Sequence, residues 1–212
     1  MLCMDIKPIL IPAGHPNRPG DKLEPLKAIV FHYTANPNAN AADNAHYFGR
    51  EYVHVNGENY ESDKKTKFAC GSAHIIADKS SIVMAIPLNE VAWACGDKHN
   101  PGHPDFNDQQ PLARDAFGYH QNHETVSVEI CNNSDWDQAC KNGAQWAVDF
   151  LRERSLKVDL DQSLDPQHFK GLSPGKVLLV RHFDITAKIC PKPFVDDHEA
   201  WAGFARMICG ML

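Results

Sequence analysis

Two short runs constrain the fold more than anything else in the chain. Lys27-Ala28-Ile29-Val30-Phe31-His32-Tyr33 is β-branched and aromatic, and apolar at successive positions. Such a run suits a strand covered on both faces, as in a largely parallel sheet packed between helices. Val177-Leu178-Leu179-Val180-Arg181-His182 is a second run of this kind. Between them, Thr125-Val126-Ser127-Val128-Glu129-Ile130-Cys131 alternates, with Val126, Val128 and Ile130 on one side and Thr125, Ser127, Glu129 and Cys131 on the other. Ser72–Asp78 and Ile82–Ile86 read as two further strands around the polar turn Lys79-Ser80-Ser81.

Helical periods lie between these strands. Asn40 is placed to cap a helix running to about Gly49, with Ala41, Ala45 and Phe48 on one face. Ser134-x-x-Asp137 resembles a capping box at the start of a long helix ending near Ser155, with Trp136, Cys140, Ala147, Phe150 and Leu151 in register. A last helix follows Pro193, with Trp201, Phe204, Ala205 and Ile208 on one face. Strands alternating with helices predict an α/β fold, a single domain with a central mixed β-sheet flanked by helices. Residues 1–26 carry Pro8, Pro12, Pro16, Pro19 and Pro25, so an extended N-terminal arm without helix is expected before a domain at 27–212. Segments 51–71 and 97–124 are polar and predicted to be irregular.

Composition removes several classes of function. The 212 residues carry 27 acidic and 21 basic side chains, a net charge of −6, which opposes a sequence-independent grip on nucleic acid and a polybasic membrane anchor. No apolar run approaches a membrane span, and Met1–Lys7 lacks the form of a secretory signal, so a cytoplasmic monomer is expected. Twelve histidines make the surface potential sensitive to pH between about 5 and 7. The 7 cysteines are an odd number without a Cys-x-x-Cys pair, which speaks against a zinc ribbon and for free thiols.

Three residues suggest chemistry. His32 and His182 sit near the ends of two buried strands, and Cys190 follows His182 by eight residues. Open α/β sheets place sites at the carboxyl ends of their strands. Two imidazoles and a thiolate suit zinc, with a fourth position left for water. Each residue also has a plain structural reading, as a hydrogen-bonded core histidine or a small buried thiol. Glu129 is the one charged residue of its strand. It either faces solvent or lines a polar site, where a carboxylate serves as general base and then general acid. His99-x-x-x-His103 and His120-x-x-His123 have ligand-like spacing, but a solvated loop explains them more simply.

Taken together, Ala28–Thr34, Ser72–Asp78, Ile86–Asp97, Val126–Asn132 and His182–Pro191 resemble, in family order, the zinc-dependent N-acetylmuramoyl-L-alanine amidases of the type-2 family. That family includes phage endolysins, autolysins and the peptidoglycan recognition proteins. The resemblance implies that His32, His182 and Cys190 bind one zinc ion, that Glu129 is the catalytic glutamate, and that Lys188 helps stabilise the transition state. It implies bacterial peptidoglycan as partner and an endolysin held in the cytoplasm until its release. A cytosolic enzyme that recycles muropeptides and a non-catalytic peptidoglycan-binding module are the alternatives. His74 and Trp93 are candidate substrate contacts, with a core histidine and a packing tryptophan as the plain readings. Asp184 either orients a ligand histidine or caps the following turn. Ala73 stands where some relatives carry a tyrosine, and Ala187 replaces a common glycine before the lysine.

Overall fold

A computed structural model describes residues 5–50, 53–55, 58–60, 71–96, 111–118 and 120–212. In chain order its elements begin with β1 (Ile6–Pro8), β2 (Ala28–Tyr33), α1 (Ala41–Phe48), β3 (Val53–Val55) and β4 (Glu58–Tyr60). They continue with β5 (Ile75–Ala77), β6 (Ile82–Met84), α2 (Pro111–Asp115), β7 (Thr125–Ile130), α3 (Trp136–Glu153) and β8 (Lys157–Val158). The last are α4 (Leu160–Leu164), β9 (Lys176–Arg181), α5 (His182–Thr186), α6 (Lys192–Asp196) and α7 (His198–Met211).

Seven strands form one mixed sheet in the order β1-β6-β5-β7-β2-β9-β8. The run from β5 through β7, β2 and β9 to β8 is parallel. β6 opposes β5, and β1 lies parallel to β6 at the edge. The described part of the N-terminal arm supplies this edge strand and then turns at Pro12–His15 and His15–Arg18. It is fastened further on by a two-pronged ion pair from the Arg18 guanidinium to Glu90 at 2.6 and 2.7 Å. Segment 51–71 is expected to be irregular, yet β3 and β4 pair antiparallel within it. His99, His103, Cys3 and Cys70 lie outside the described residues.

The apolar period of β2 places Ile29 and Phe31 on one face, where they join Val126, Val128 and Ile130 of β7. α3 and α7 cover that face with Ala144, Ala147, Val148, Trp201, Phe204 and Ile208. On the opposite face, α1 packs over Ile76 and Val83, while α2 and Ile185 of α5 pack over Ala28, Val30, Leu178 and Val180. Both faces of β2 are thereby sealed, which is why its residues from Ala28 to Phe31 can all be apolar. The capping signals act locally. Asn40 accepts from Asp43 N at 3.0 Å and Asp43 answers Asn40 N at 3.0 Å, starting α1. At α3 the cap is Asp135, which accepts from Gln138 N, one residue beyond the expected Ser134. The C-terminal helical segment is two helices, α6 and α7, with Asp197 capping the second.

Asp78, just after β5, ties both layers together. Its carboxylate accepts from Ala41 N at 2.9 Å, Ser80 N at 2.7 Å, Ser81 N at 2.7 Å and the Ser81 hydroxyl at 3.0 Å. Its carbonyl accepts from Asn142 Nδ2 of α3 at 2.7 Å. Burial pushes the Asp78 carboxyl up, but these donors outweigh burial and hold it below its ordinary value. Replacing Asp78 with Ala strands buried N–H groups at the first turn of α1 and at the β5–β6 turn. The expected loss is about 2–4 kcal/mol of stability, read by urea unfolding at neutral pH.

Candidate metal centre

The carboxyl ends of β2 and β7 lie where the chain departs in opposite directions. After β2 it crosses the α1 face, and after β7 it enters α3 on the other face. A crevice opens at such a point in an α/β sheet. The parallel register pairs His32 with Glu129, so both side chains emerge side by side on the face away from α3.

β9 ends beside β2 and delivers the remaining donors. His182 begins α5, and the chain turns back through Ala187 to Cys190. Ala187 adopts a left-handed conformation with φ of 59°, the conformation that a glycine takes without strain. The turn is held by Phe183 N donating to Cys190 O at 2.9 Å. It is also held by Asp184, whose carboxylate accepts from Arg181 N at 2.7 Å and from the Arg181 guanidinium at 2.7 to 3.2 Å. Asp184 thus caps the start of α5. Arg181 also donates to Phe194 O at 2.9 Å, fixing α5 against α6.

His32, His182 and Cys190 are all buried, and one donor atom from each lies within 4.8 Å of the others. Cys190 Sγ stands 3.9 Å from His32 Nδ1, and the two imidazole centroids are 4.6 Å apart. Two donors of a tetrahedral zinc ion with bonds of about 2.1 and 2.3 Å stand roughly 3.6 Å apart, so the spacing fits that ion. Among the described residues this is the one such cluster. The His120 and His123 rings are 6.1 Å apart and do not form another.

Protonation states suit the same use. Burial, helped by the Lys188 charge, lowers His32 to about 3 and keeps its ring neutral. Burial and the Glu129 charge raise Cys190 to about 12, against opposing effects from Tyr33 N–H and Lys188, so a thiolate there calls for a cation in contact. Burial also raises Glu129 to about 7, although Lys188 pulls it down. Glu129 Oε2 is buried and makes no hydrogen bond. Lys188 itself is exposed, with its charge felt at all three groups.

The two candidate substrate contacts part ways. His74 is fully buried. Its Nδ1 accepts from Ser127 N at 3.0 Å, and its Nε2 donates to Glu90 O at 2.9 Å. Both nitrogens are consumed by main chain, so His74 joins Glu90 to β7 and has no ring nitrogen left for a substrate. Trp93 is half-buried, with its ring 6.4 Å from that of His123. One neighbour of the centre was not foreseen. Cys95 is fully buried with Sγ 4.0 Å from His32 Nε2, a contact spanning 63 residues that no local pattern signals.

The fold and site together define a class. The structure overlays the catalytic domain of XlyA with a TM-score of 0.62 at 23% identity, covering 95% of this chain and 99% of that one. PlyL overlays with a TM-score of 0.62 at 19% identity, covering 97% of each chain. These likenesses establish the fold. Residues 22–193 match the family model described as Amidase_2, N-acetylmuramoyl-L-alanine amidase, and the chain belongs to that family. It is 31% identical over 201 residues to N-acetylmuramoyl-L-alanine amidase BlyA of Bacillus subtilis (strain 168), covering 93% of this chain and 45% of BlyA. It is 31% identical over 198 residues to N-acetylmuramoyl-L-alanine amidase CwlL of Bacillus licheniformis, covering 92% of this chain and 44% of CwlL. The chain thus spans about half the length of these relatives.

The environment of His74 carries a pH signature. Burial lowers it to about 4 from an ordinary 6.5, against opposing contributions from the Glu90 carbonyl and charge. The unfolded chain binds a proton at His74 that the folded chain refuses. Stability is therefore full above about pH 6.5 and falls as pH drops toward about 4, by about 3 kcal/mol from this residue. Urea unfolding across this window, with EDTA present to keep metal out of the balance, gives a flatter profile for His74→Gln than for the wild type.

Proposed function

We propose that the protein is a zinc-dependent peptidoglycan hydrolase that cleaves the amide between the lactyl group of N-acetylmuramic acid and L-alanine of the stem peptide. The observation that carries this reading is the set of three buried donors beside a carboxylate whose Oε2 makes no hydrogen bond. Membership of the amidase family supports the choice of bond.

His32, His182 and Cys190 would hold the ion. Zinc, when bound, supplies positive charge that acidifies an attacking water and polarises the scissile carbonyl. Glu129 accepts the proton of that water, a task suited to a carboxyl whose burial holds it near 7. The charge developing on the carbonyl oxygen faces the Lys188 ammonium, which is exposed and free to follow it. Glu129 then returns its proton to the departing alanine nitrogen, because an amide anion is too basic to leave unaided. Trp93 serves as a wall of the substrate cleft. Partner and setting follow from the substrate. The protein acts on bacterial cell wall, as a phage or prophage endolysin made in the cytoplasm and let out to reach it.

Defined peptidoglycans digested with the wild type and analysed by mass spectrometry should release stem peptides with a new N-terminal L-alanine. EDTA should abolish that release, and added zinc should restore it. His32→Ala and Cys190→Ala should lose bound zinc by metal analysis. Glu129→Gln should retain zinc and lose activity by about 10²- to 10⁴-fold. Equal zinc content and equal turnover in all four proteins would overturn the reading, as would cleavage at any other bond.

A further inference from the structure

Cys95 has no part in the chemistry above, yet its sulfur is one of two that flank the His32 ring. Cys190 Sγ lies 3.9 Å from Nδ1, and Cys95 Sγ lies 4.0 Å from Nε2. The in-plane bonding directions of the two imidazole nitrogens diverge across the ring. A single ion therefore cannot be shared between both sulfurs through His32. Cys190 belongs to the donor cluster together with His182, and Cys95 does not.

We propose that Cys95 is a positioning residue, which receives the Nε2–H of His32 on its sulfur and so leaves Nδ1 bare and aimed at the metal position. A neutral imidazole carries one N–H, and a ligating nitrogen must have none. Which nitrogen binds is therefore decided by what the other one meets. A thiol sulfur is a weak acceptor, so its worth depends on being held still. Cys95 is held from both sides of its own main chain. Its N–H donates to Asn122 Oδ1 at 2.8 Å, an oxygen that also accepts from Ala94 N at 3.2 Å. Its carbonyl accepts from Gln121 Nε2 at 3.2 Å and Asn122 Nδ2 at 3.4 Å. Gln121 and Asn122 are themselves buried, just before the start of β7. The segment that leads into the strand presenting Glu129 is thereby also the base against which His32 is oriented.

This inference rests on the zinc reading, and the test separates the two. Zinc affinity is measured by competition with a chromophoric chelator for the wild type, Cys95→Val and Cys95→Ser. Long-range proton–nitrogen NMR of the His32 ring is recorded with and without zinc. The wild type should carry its proton on Nε2 in both forms. Cys95→Val fills the space without an acceptor, and should lower zinc affinity about tenfold while the metal-free ring populates both tautomers. Cys95→Ser restores an acceptor and should recover affinity and tautomer. A wild type with its His32 proton on Nδ1 overturns the proposal even if neither variant folds. So does a folded Cys95→Val with unchanged affinity and tautomer. A wild type that takes up no zinc overturns this inference together with the reading beneath it.

Discussion

The lateral pairing of β2 with β7 on one side and β9 on the other is the constraint on which the rest of the molecule depends. It sets His32 against Glu129 and brings the end of β9 next to the end of β2. Side chains alternate along a strand, so a slip of one residue in β2 would turn His32 into the layer formed by α3 and α7. Such a slip would also turn Ile29 and Phe31 toward the face covered by α2 and α5 and drive Ala28 and Val30 into a space shaped for larger side chains. Register is thus policed by apolar burial on both faces, and the polar site inherits its geometry from that burial.

The long-period features of this fold could be read from residue patterns. β2, β7 and β9 follow from β-branched runs, and α1, α3 and α7 from helical spacing and capping residues. What escaped was short or non-local. β1 and β8 are three and two residues long, too brief for any period to register. α4 and α5 are single turns of five residues, stabilised by Asp159 and by the Arg181–Asp184 pair rather than by an apolar stripe. The α3 cap fell on Asp135 because the residue that reaches Gln138 N decides it, and Ser134 stands one position too early. The donors His32, His182 and Cys190 were suggested by strand-end placement and given roles by family resemblance, since spacing alone left core readings open. Of the two readings of His74, substrate contact or core histidine, the sequence could not choose, because its partners, Ser127 N and Glu90 O, are main-chain atoms far away in sequence. Cys95 was invisible for the same reason.

Burial does most of the electrostatic work at the centre. It keeps His32 neutral, keeps the Cys190 thiol protonated where no cation touches it, and lifts Glu129 toward neutrality. Lys188 opposes the last two effects from an exposed position, so it acts on the site without sharing its desolvation. The turn that carries Lys188 and Cys190 is built on a strained residue, Ala187, and is braced by the buried Arg181–Asp184 pair. Under the proposed function, rigid support beneath an exposed cation would let the carboxylate and the ammonium serve successive stages of one reaction.

The donors come from opposite ends of the chain, with His32 and Cys190 separated by 158 positions. An unfolded chain cannot gather them, so an ion gripped there is a ligand of the folded state alone. Mass action then couples metal supply to thermal tolerance, by about 2.7 kcal/mol when free ion exceeds its dissociation constant a hundredfold. If the proposed zinc ion binds, the joint between β2 and β9 would tighten or loosen with the surrounding metal concentration, and the same three side chains would be both a workplace and a rivet.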